Sequence, residues 1–593
     1  MKRFTLALLF SSLLALPLGA QTPDPVCFSK YSKNADTLAK AHLPSTVLTG
    51  YQKRARARLD SLLHAKCVTT PVPVPPIPPP DTQPTPPPTG GTAELPRVVP
   101  AYRDPYPGKV CSTTVPDGGD VGAALRAARG GAVVCLAAGG TYSQVQLPAR
   151  AAGDTGWIVL RTSGLSAPEG TRVTPSTVSA FATIRTVHNG ECSLSTTPGT
   201  HGWYVAGVKI ATAAQVTYTM VCLGAAGAEQ DQVSEVPQKL VLSRVIIDGG
   251  ALDIQRCVGL NSAATAIVDS WIMNCHIRGF EGQGIGSWNS PGSWLIRNNY
   301  IEAAGINVLI GGATPAIPNL RTFDVTVQRN HFYKPLAWKG VWTVKNLLET
   351  KNAGRVLIED NVMENSWTDA QTGIGILFKS SNDQGNCNWC QTSDVTFRRN
   401  LIRNVETALA ITGGENYCRS APADQVGPDK WCQVRGEVPP STARVVVSDV
   451  VFDDLGSTVW GAKGVYMAPV HSSTGPADVT LERIVTAQGA GKLVAHGLMV
   501  SQPGAVRAVF RDMVLSHGTY TILTGNGEFG VIAFNLGAPN AVWSNNWFVK
   551  LPNHTEQSTS VPPGTTIITA EPSLAAQIRA TVNAAIAGVV TRP

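Results

Sequence analysis

VQRNHFY, residues 327–333, recurs as IEDNVME at 358–364 and FRRNLIR at 397–403, and this recurrence decides the fold. Further copies upstream, IRNNYIE, IVDSWIM and VLSRVII, place Arg244, Ser270, Asn299, Asn330, Asn361 and Asn400 in one column, with steps of 26, 29, 31, 31 and 39 residues. Weaker copies follow at VSDVVF, LERIVT, FRDMVL and WSNNWF. Self-similarity at this period marks a solenoid whose coils stack on one another. Short strands recur between the copies, as in INVLIGG, GIGILF, TALAIT and GVYMAP. Several strands per coil and no helical period predict an all-β chain, a parallel β-helix. Asn suits the column twice over: it tolerates left-handed backbone angles, and its amide bonds the amide in the next coil.

A solenoid needs covers at its open ends. Residues 117–148 supply an Ala-rich helix and the first strands, and EPSLAAQIRATVNAAIAGVV, 571–590, reads as a helical cap over the last coil. The β-helix is assigned to 95–570 and the carboxy-terminal cap to 571–593.

Upstream, MKRFTLALLFSSLLALPLGA, residues 1–20, has the basic start, apolar run and small terminal residues of a secretory signal peptide. Residues 21–70 read as a small helical module, and 71–94 as a Pro-rich linker. The formal net charge is +7. Lys2 and Arg3 belong to the leader, and the remaining excess of five sits in 21–70, where eight Lys or Arg face three Asp. The rest is formally neutral, so a basic body that binds nucleic acid is not expected. No later apolar run is long enough to span a bilayer.

Twelve cysteines fit an oxidising, secreted or periplasmic destination. In chain order they fall into neighbouring pairs: Cys27 with Cys67, Cys111 with Cys135, Cys192 with Cys222, Cys257 with Cys275, Cys387 with Cys390, and Cys418 with Cys432. Local bridges are the expectation, although sequence leaves other connectivities open.

Charge is sparse in this chain, 15% of residues, yet TVKNLLETK, 343–351, carries Lys345, Glu349 and Lys351 at alternate positions of a strand. With Val344, Leu348 and Thr350 turned inward, the charged residues share the outer face, and stacking brings Trp367, Asp369, Gln371 and Lys379 alongside. Trp338 and Trp342 lie just upstream, and Trp389 on a later loop. Indoles and charged groups in a shallow groove suit a polysaccharide or cell-envelope glycan.

Two chemistries fit these residues. In β-elimination, Lys351 is the base, Lys345 or Lys379 neutralises the uronate carboxylate, and Glu349 orients a Lys or binds Ca²⁺. In hydrolysis, Glu349 and Asp369 are the carboxyl pair, with Glu359, Asp360 and Glu364 as lesser members. The alternatives are a non-catalytic, adhesin-like glycan binder and an ordinary ion-paired strand face. No Gly-rich phosphate loop calls for a nucleotide.

The helical cap segment, WIVLRTSG, NNYIEAAGINVLIGGA, RNHFYKPLAWKGVWTVKNLLETKNAGRVLIEDNVMEN and GIGILF together resemble exported bacterial right-handed parallel β-helix repeat proteins of the pectate-lyase-like superfamily, over roughly 110–550. The resemblance implies the fold; the superfamily includes lyases, hydrolases, phage tailspikes and adhesins. ETKNAGRVLIEDNVMENS further resembles the Lys-containing coil of β-helix alginate and chondroitin lyases, which implies Lys351 as base near a Ca²⁺. That family's LRHG segment is absent: LFKSSND stands near where it would fall.

Overall fold

A computed structural model describes residues 92–590, apart from 215–216, 384–385, 418–438, 459–462, 469–474, 503 and 552–559. The leader, the helical module, most of the linker and the pairs Cys27/Cys67 and Cys418/Cys432 lie outside the described residues.

The chain winds as a parallel β-helix of three faces. One coil consists of Ala353–Glu359 on the first face, Val362–Ser366 on the second and Ile374–Asp383 on the third. Each strand pairs in parallel with its counterpart one coil on, Val356 with Val395, Val362 with Leu401 and Ile376 with Leu409. Among the described residues the third face alone is a sheet of twelve strands. Val325, Val356, Val395, Val445 and Val479 stack in register down the interior and belong to one continuous core. Period-2 alternation puts every second side chain into that core, so a one-residue slip would expel the whole set.

The Asn column is an amide ladder. Asn330 donates its backbone N–H (2.9 Å) and its side-chain amide (3.0 Å) to Oδ1 of Asn361, which repeats both bonds to Asn400 at 3.0 and 2.9 Å. Asn299 joins Asn330 in the same way, and the backbone of Ser270 donates to Asn299. Two expectations need correction. Left-handed backbone falls on the residue before each Asn: Asn298, Arg329, Asp360 and Arg399 have φ of 50–59°. Arg244, at φ 54°, belongs with those residues, and Val245, whose N–H donates to Ser270 Oγ, holds its coil's place in the ladder.

The left-handed positions carry charge in alternation. Six consecutive coils present Asp324, Arg355, Asp394, Arg444, Asp478 and Arg507 at one position near the start of the first-face strand, all with positive φ. Arg355 Nε meets Asp324 at 2.7 Å, and Arg444 and Arg507 pair with Asp394 and Asp478. A second column pairs Arg399 with Asp360 and Arg483 with Asp449. Ion pairs that still reach solvent contribute about 1 kcal/mol or less each. Together they offset part of the strain of left-handed L-residues, roughly 1–2 kcal/mol apiece.

The solenoid is covered where its surfaces are apolar. Helix α1, Val121–Ala127, inserts Val121 and Leu125 into the first coil, with Asp120 capping its N-terminus. At the far end, α2, Gly530–Gly537, places Phe534 against Phe510 and Trp543. The carboxy-terminal helix α3, Ser573–Ala585, lies along the flank: Ala575, Ile578 and Val582 pack on Val362, Leu401, Val451, Val485 and Val514 of the second face. The last coil is thus closed by α2 rather than by the segment the sequence suggested. An apolar stripe repeated over five coils offers α3 more surface than one coil end.

Residues 92–111 form an arm across the first face. The Glu94 and Arg97 backbones donate to Asp394 and Asp324, Tyr102 and Tyr106 pack on Val241, Val268 and Leu295, and Cys111 bonds Cys135. The bridges Cys192–Cys222, Cys257–Cys275 and Cys387–Cys390 are also formed. Among the described residues no helix is long and apolar enough to cross a membrane.

Candidate functional site

On the third face, Leu348 stacks between Val308 and Ile376, and Thr350 between Ile310 and Phe378, all inward. Glu349 occupies the outward column between Leu309 and Leu377. Leu347 also enters the core, so the alternation slips and Asn346 shares the outer side with Glu349, donating to its Oε2 at 3.1 Å.

Around this carboxylate the coils assemble an ionic cluster. Lys351 Nζ stands 3.2 Å from Glu349 Oε1 and Lys379 Nζ 3.7 Å, and Lys379 also meets Glu415 at 2.7 Å. Lys345 meets Glu281 at 2.5 Å, and Ser381 donates to Glu415. Three coils upstream of Glu349, Arg256 donates to Gln283 and stacks on Trp288 at 4.4 Å. From Arg256 to Glu415 the cluster runs across five strand spacings, on the order of 24 Å.

Its own charges, acting against burial, decide its ionisation. Glu349 has no exposed side-chain surface and Lys351 keeps 13%. Burial alone would raise the Glu349 carboxyl, but the ammoniums of Lys351, Lys379 and Lys345 outweigh it and hold it at about 2. Burial would lower Lys351, but Glu349, Glu281 and Glu415 hold it well above the ordinary lysine range. Lys351 is therefore an ammonium at rest, whereas a general base must be neutral near the working pH. That state runs against the role of base expected for Lys351 and favours a role for its positive charge.

Asp369 stands apart from Glu349. It is exposed on a turn and accepts the Val344 backbone N–H at 2.8 Å, while its own N–H donates to the Gln371 carbonyl. Val344 precedes Glu349 by five residues, roughly 16 Å of extended chain. A hydrolytic pair needs about 5–9.5 Å, shorter than that extended length. The lesser carboxylates are tied into other turns and faces: Glu359 to Arg398 and Arg399, Asp360 to Arg399, and Glu364 to His331 and Arg403.

The indoles do not form an open row. Trp342 and Trp367 are buried, at 9% and 5% exposure. Trp342 stacks on His276 at 3.8 Å with the Arg278 guanidinium 4.1 Å from its ring, and the half-buried Trp338 meets His276 edge-on. These rings fill the corner beneath the loop 334–345. Trp389 is half-buried and donates to the Leu320 carbonyl. Gln371 is half-buried at the turn beside Asp369.

The cluster does not fit Ca²⁺. Glu349 is engaged by Asn346, Lys351 and Lys379, and a dication would have to enter among ammoniums. No group of three or more His, Cys, Asp or Glu among the described residues is arranged to hold a metal.

Sequence reading missed Glu281, Glu415, Asn346 and Arg256. Glu415 was within reach, because aligning GIGILFKSSND with TALAITGGENY puts it beside Ser381. Glu281 comes from a loop 64 residues before Lys345, where no periodicity points to it.

No family model matches the chain, and no curated protein does. Solved structures do. A PL6-family alginate lyase, AlyGC, is 13% identical over 78% of this chain, with a TM-score of 0.43; the chain spans about half, 52%, of that enzyme. The catalytic domain of a GH87 α-1,3-glucanase is 13% identical over 80% of this chain and 70% of its own, with a TM-score of 0.36. PfbA, a surface adhesin of Streptococcus pneumoniae, is 12% identical over 73% of this chain and 88% of its own, with a TM-score of 0.31.

Proposed function

We propose that this is an exported protein that acts on an acidic polysaccharide by β-elimination along the outer third face. The observation that carries the reading is the convergence of Lys351 and Lys379 on one outward carboxylate, with Lys345 adding to the field. A uronate carboxylate has the shape and charge of the Glu349 and Glu415 side chains. Exchanged into their place, it meets ammoniums already set to neutralise the charge that develops as its α-proton leaves. Lys351 and Lys379 then act as neutralisers; the α-proton passes to solvent, and as the glycosidic C–O bond breaks the leaving oxygen takes a proton from solvent. Export is supported by the four bridges, which need an oxidising compartment.

A second reading, glycan binding without turnover, is favoured by the full pairing of Lys345, Lys351 and Lys379 with carboxylates, which suits reversible exchange.

The test incubates the full chain with uronate and neutral polysaccharides, following unsaturated-product absorbance, new reducing ends and retention on immobilised glycan. Absorbance lost in Lys351→Ala supports elimination. Retention without products supports binding, and reducing ends without absorbance move the reading to hydrolysis. A folded chain inert to every glycan overturns both readings.

A further inference from the structure

A cavity of about 330 Å³ opens far from the charged third-face strand, at the corner between the first and second faces. Arg103, Arg172, Arg297 and Arg329 line it, and Asp269 is the only carboxylate that does. Asp269 is already occupied: its oxygens accept the Gly170 N–H and the Asn298 amide, each at 2.7 Å.

The arginines here differ from those of the alternating columns. Arg355, Arg399, Arg444, Arg483 and Arg507 each meet an Asp. Arg329 instead donates to the carbonyls of Ala585 and Ala587, both at 2.9 Å. Arg297, whose strand neighbours are Val268 and Gln328, donates to the Tyr102 hydroxyl at 2.9 Å. Arg103 and Arg297 both lie against the Tyr102 ring, at 5.0 and 5.7 Å. Arg172, almost wholly buried, donates to the carbonyls of Asn298, Arg329 and Val589, and burial pushes its guanidinium down to about 10. Four guanidiniums thus converge with two carboxylates, the engaged Asp269 and Glu169, which stands 4.0 Å from Arg103, and leave a surplus of two that a monoanion would halve and a dianion would cancel. Guanidinium forks match tetrahedral oxyanions. The volume lies at the lower end for small-molecule sites and admits a sugar-sized body beside the anion.

We propose that this cavity is a binding site for a phosphate or sulfate group, free or esterified to a small sugar, with Arg297 and Arg103 as its principal ligands. The site is independent of the glycan reading of the third face.

Calorimetric titration of the full chain at constant ionic strength, with inorganic phosphate, sulfate, a hexose 6-phosphate and the uncharged hexose, tests it. Saturable binding of the anions but not the hexose is expected, weakened at least ten-fold in Arg297→Ala and several-fold in Arg103→Ala. Tighter binding of the ester than of phosphate identifies a sugar ester as ligand; equal binding identifies the free oxyanion. Arg103 is exposed, so its variant keeps the test open should Arg297→Ala loosen the arm. No saturable binding of any anion, or affinities unchanged in both folded variants, overturns the site.

Discussion

Lys351 and Glu349 stand two residues apart on one strand, and their charged ends meet at 3.2 Å on its outer side. The carboxylate is buried and is held from an ordinary value near 4.5 down to about 2. A carboxylate depressed by folding contributes stability that is complete above its unfolded value and is lost as pH falls toward its folded value. Chemical unfolding followed from pH 5 to pH 2 should show the wild type losing more stability than Glu349→Gln. At pH 7 that variant should be about 3 kcal/mol less stable, because the ammoniums lose a buried partner. Parallel pH profiles for the two proteins would refute the assignment.

Lys351→Arg separates charge from proton transfer. A neutraliser can be replaced by guanidinium, so glycan affinity should stay within a few-fold of wild type and turnover should persist. A base cannot be so replaced, and its turnover would vanish. Steady-state kinetics on the best substrate, beside Lys351→Ala, reads the difference.

Lys334 should be more important to stability than any surface lysine. It is fully buried, and its ammonium donates to the carbonyls of Ala303, Ala304 and Gly305 and to Asn307 Oδ1, all at 2.9–3.0 Å. Burial pushes it well below the ordinary lysine value, while the oxygen cage favours the charged form. Lys334→Met would remove the ammonium from four oxygens at the corner beneath the site, of which the Gly305 carbonyl keeps the Lys345 and Asn346 N–H groups. A loss of about 3 kcal/mol or more is expected in urea unfolding. A change under 1 kcal/mol would mean water replaces the ammonium.

Asn361→Ala should cost about 2–4 kcal/mol, because it orphans the buried Asn330 N–H and breaks the ladder on both sides. The matching change of Val450, an apolar residue in the equivalent place, to Ala should cost less, about 1 kcal/mol. Thermal melts of the two variants rank them, and the reverse order would contradict the ladder's role.

The fold was legible because its determinants are periodic: apolar alternation and a recurring Asn report each coil separately. The column slipped at Arg244 because Ser243 and Arg244 imitate the polar pair that precedes a ladder residue elsewhere, and only the pairing of Ile246 with Trp271 fixes the register. For the site, strand alternation put Glu349 and Lys351 on one side and coil stacking added Lys379. Both are local rules. Glu281 reaches Lys345 from a corner loop, a closure no periodic rule anticipates. The tryptophans misled for a related reason: whether a loop indole faces solvent or plugs a corner depends on the loop's path. His276 beneath Trp342 settles that path here.

The alternation of Asp324, Arg355, Asp394, Arg444, Asp478 and Arg507 gives the solenoid a parity. By shape its unit is one coil, but by charge it is two. Copying or deleting a single coil in this region would leave the backbone winding intact and set Asp on Asp or Arg on Arg at the seam, whereas doing so with two neighbouring coils would preserve every pair. The length of this stretch can therefore change cheaply only in even steps, so that a strand position shared by two residue types also constrains how such a protein can grow.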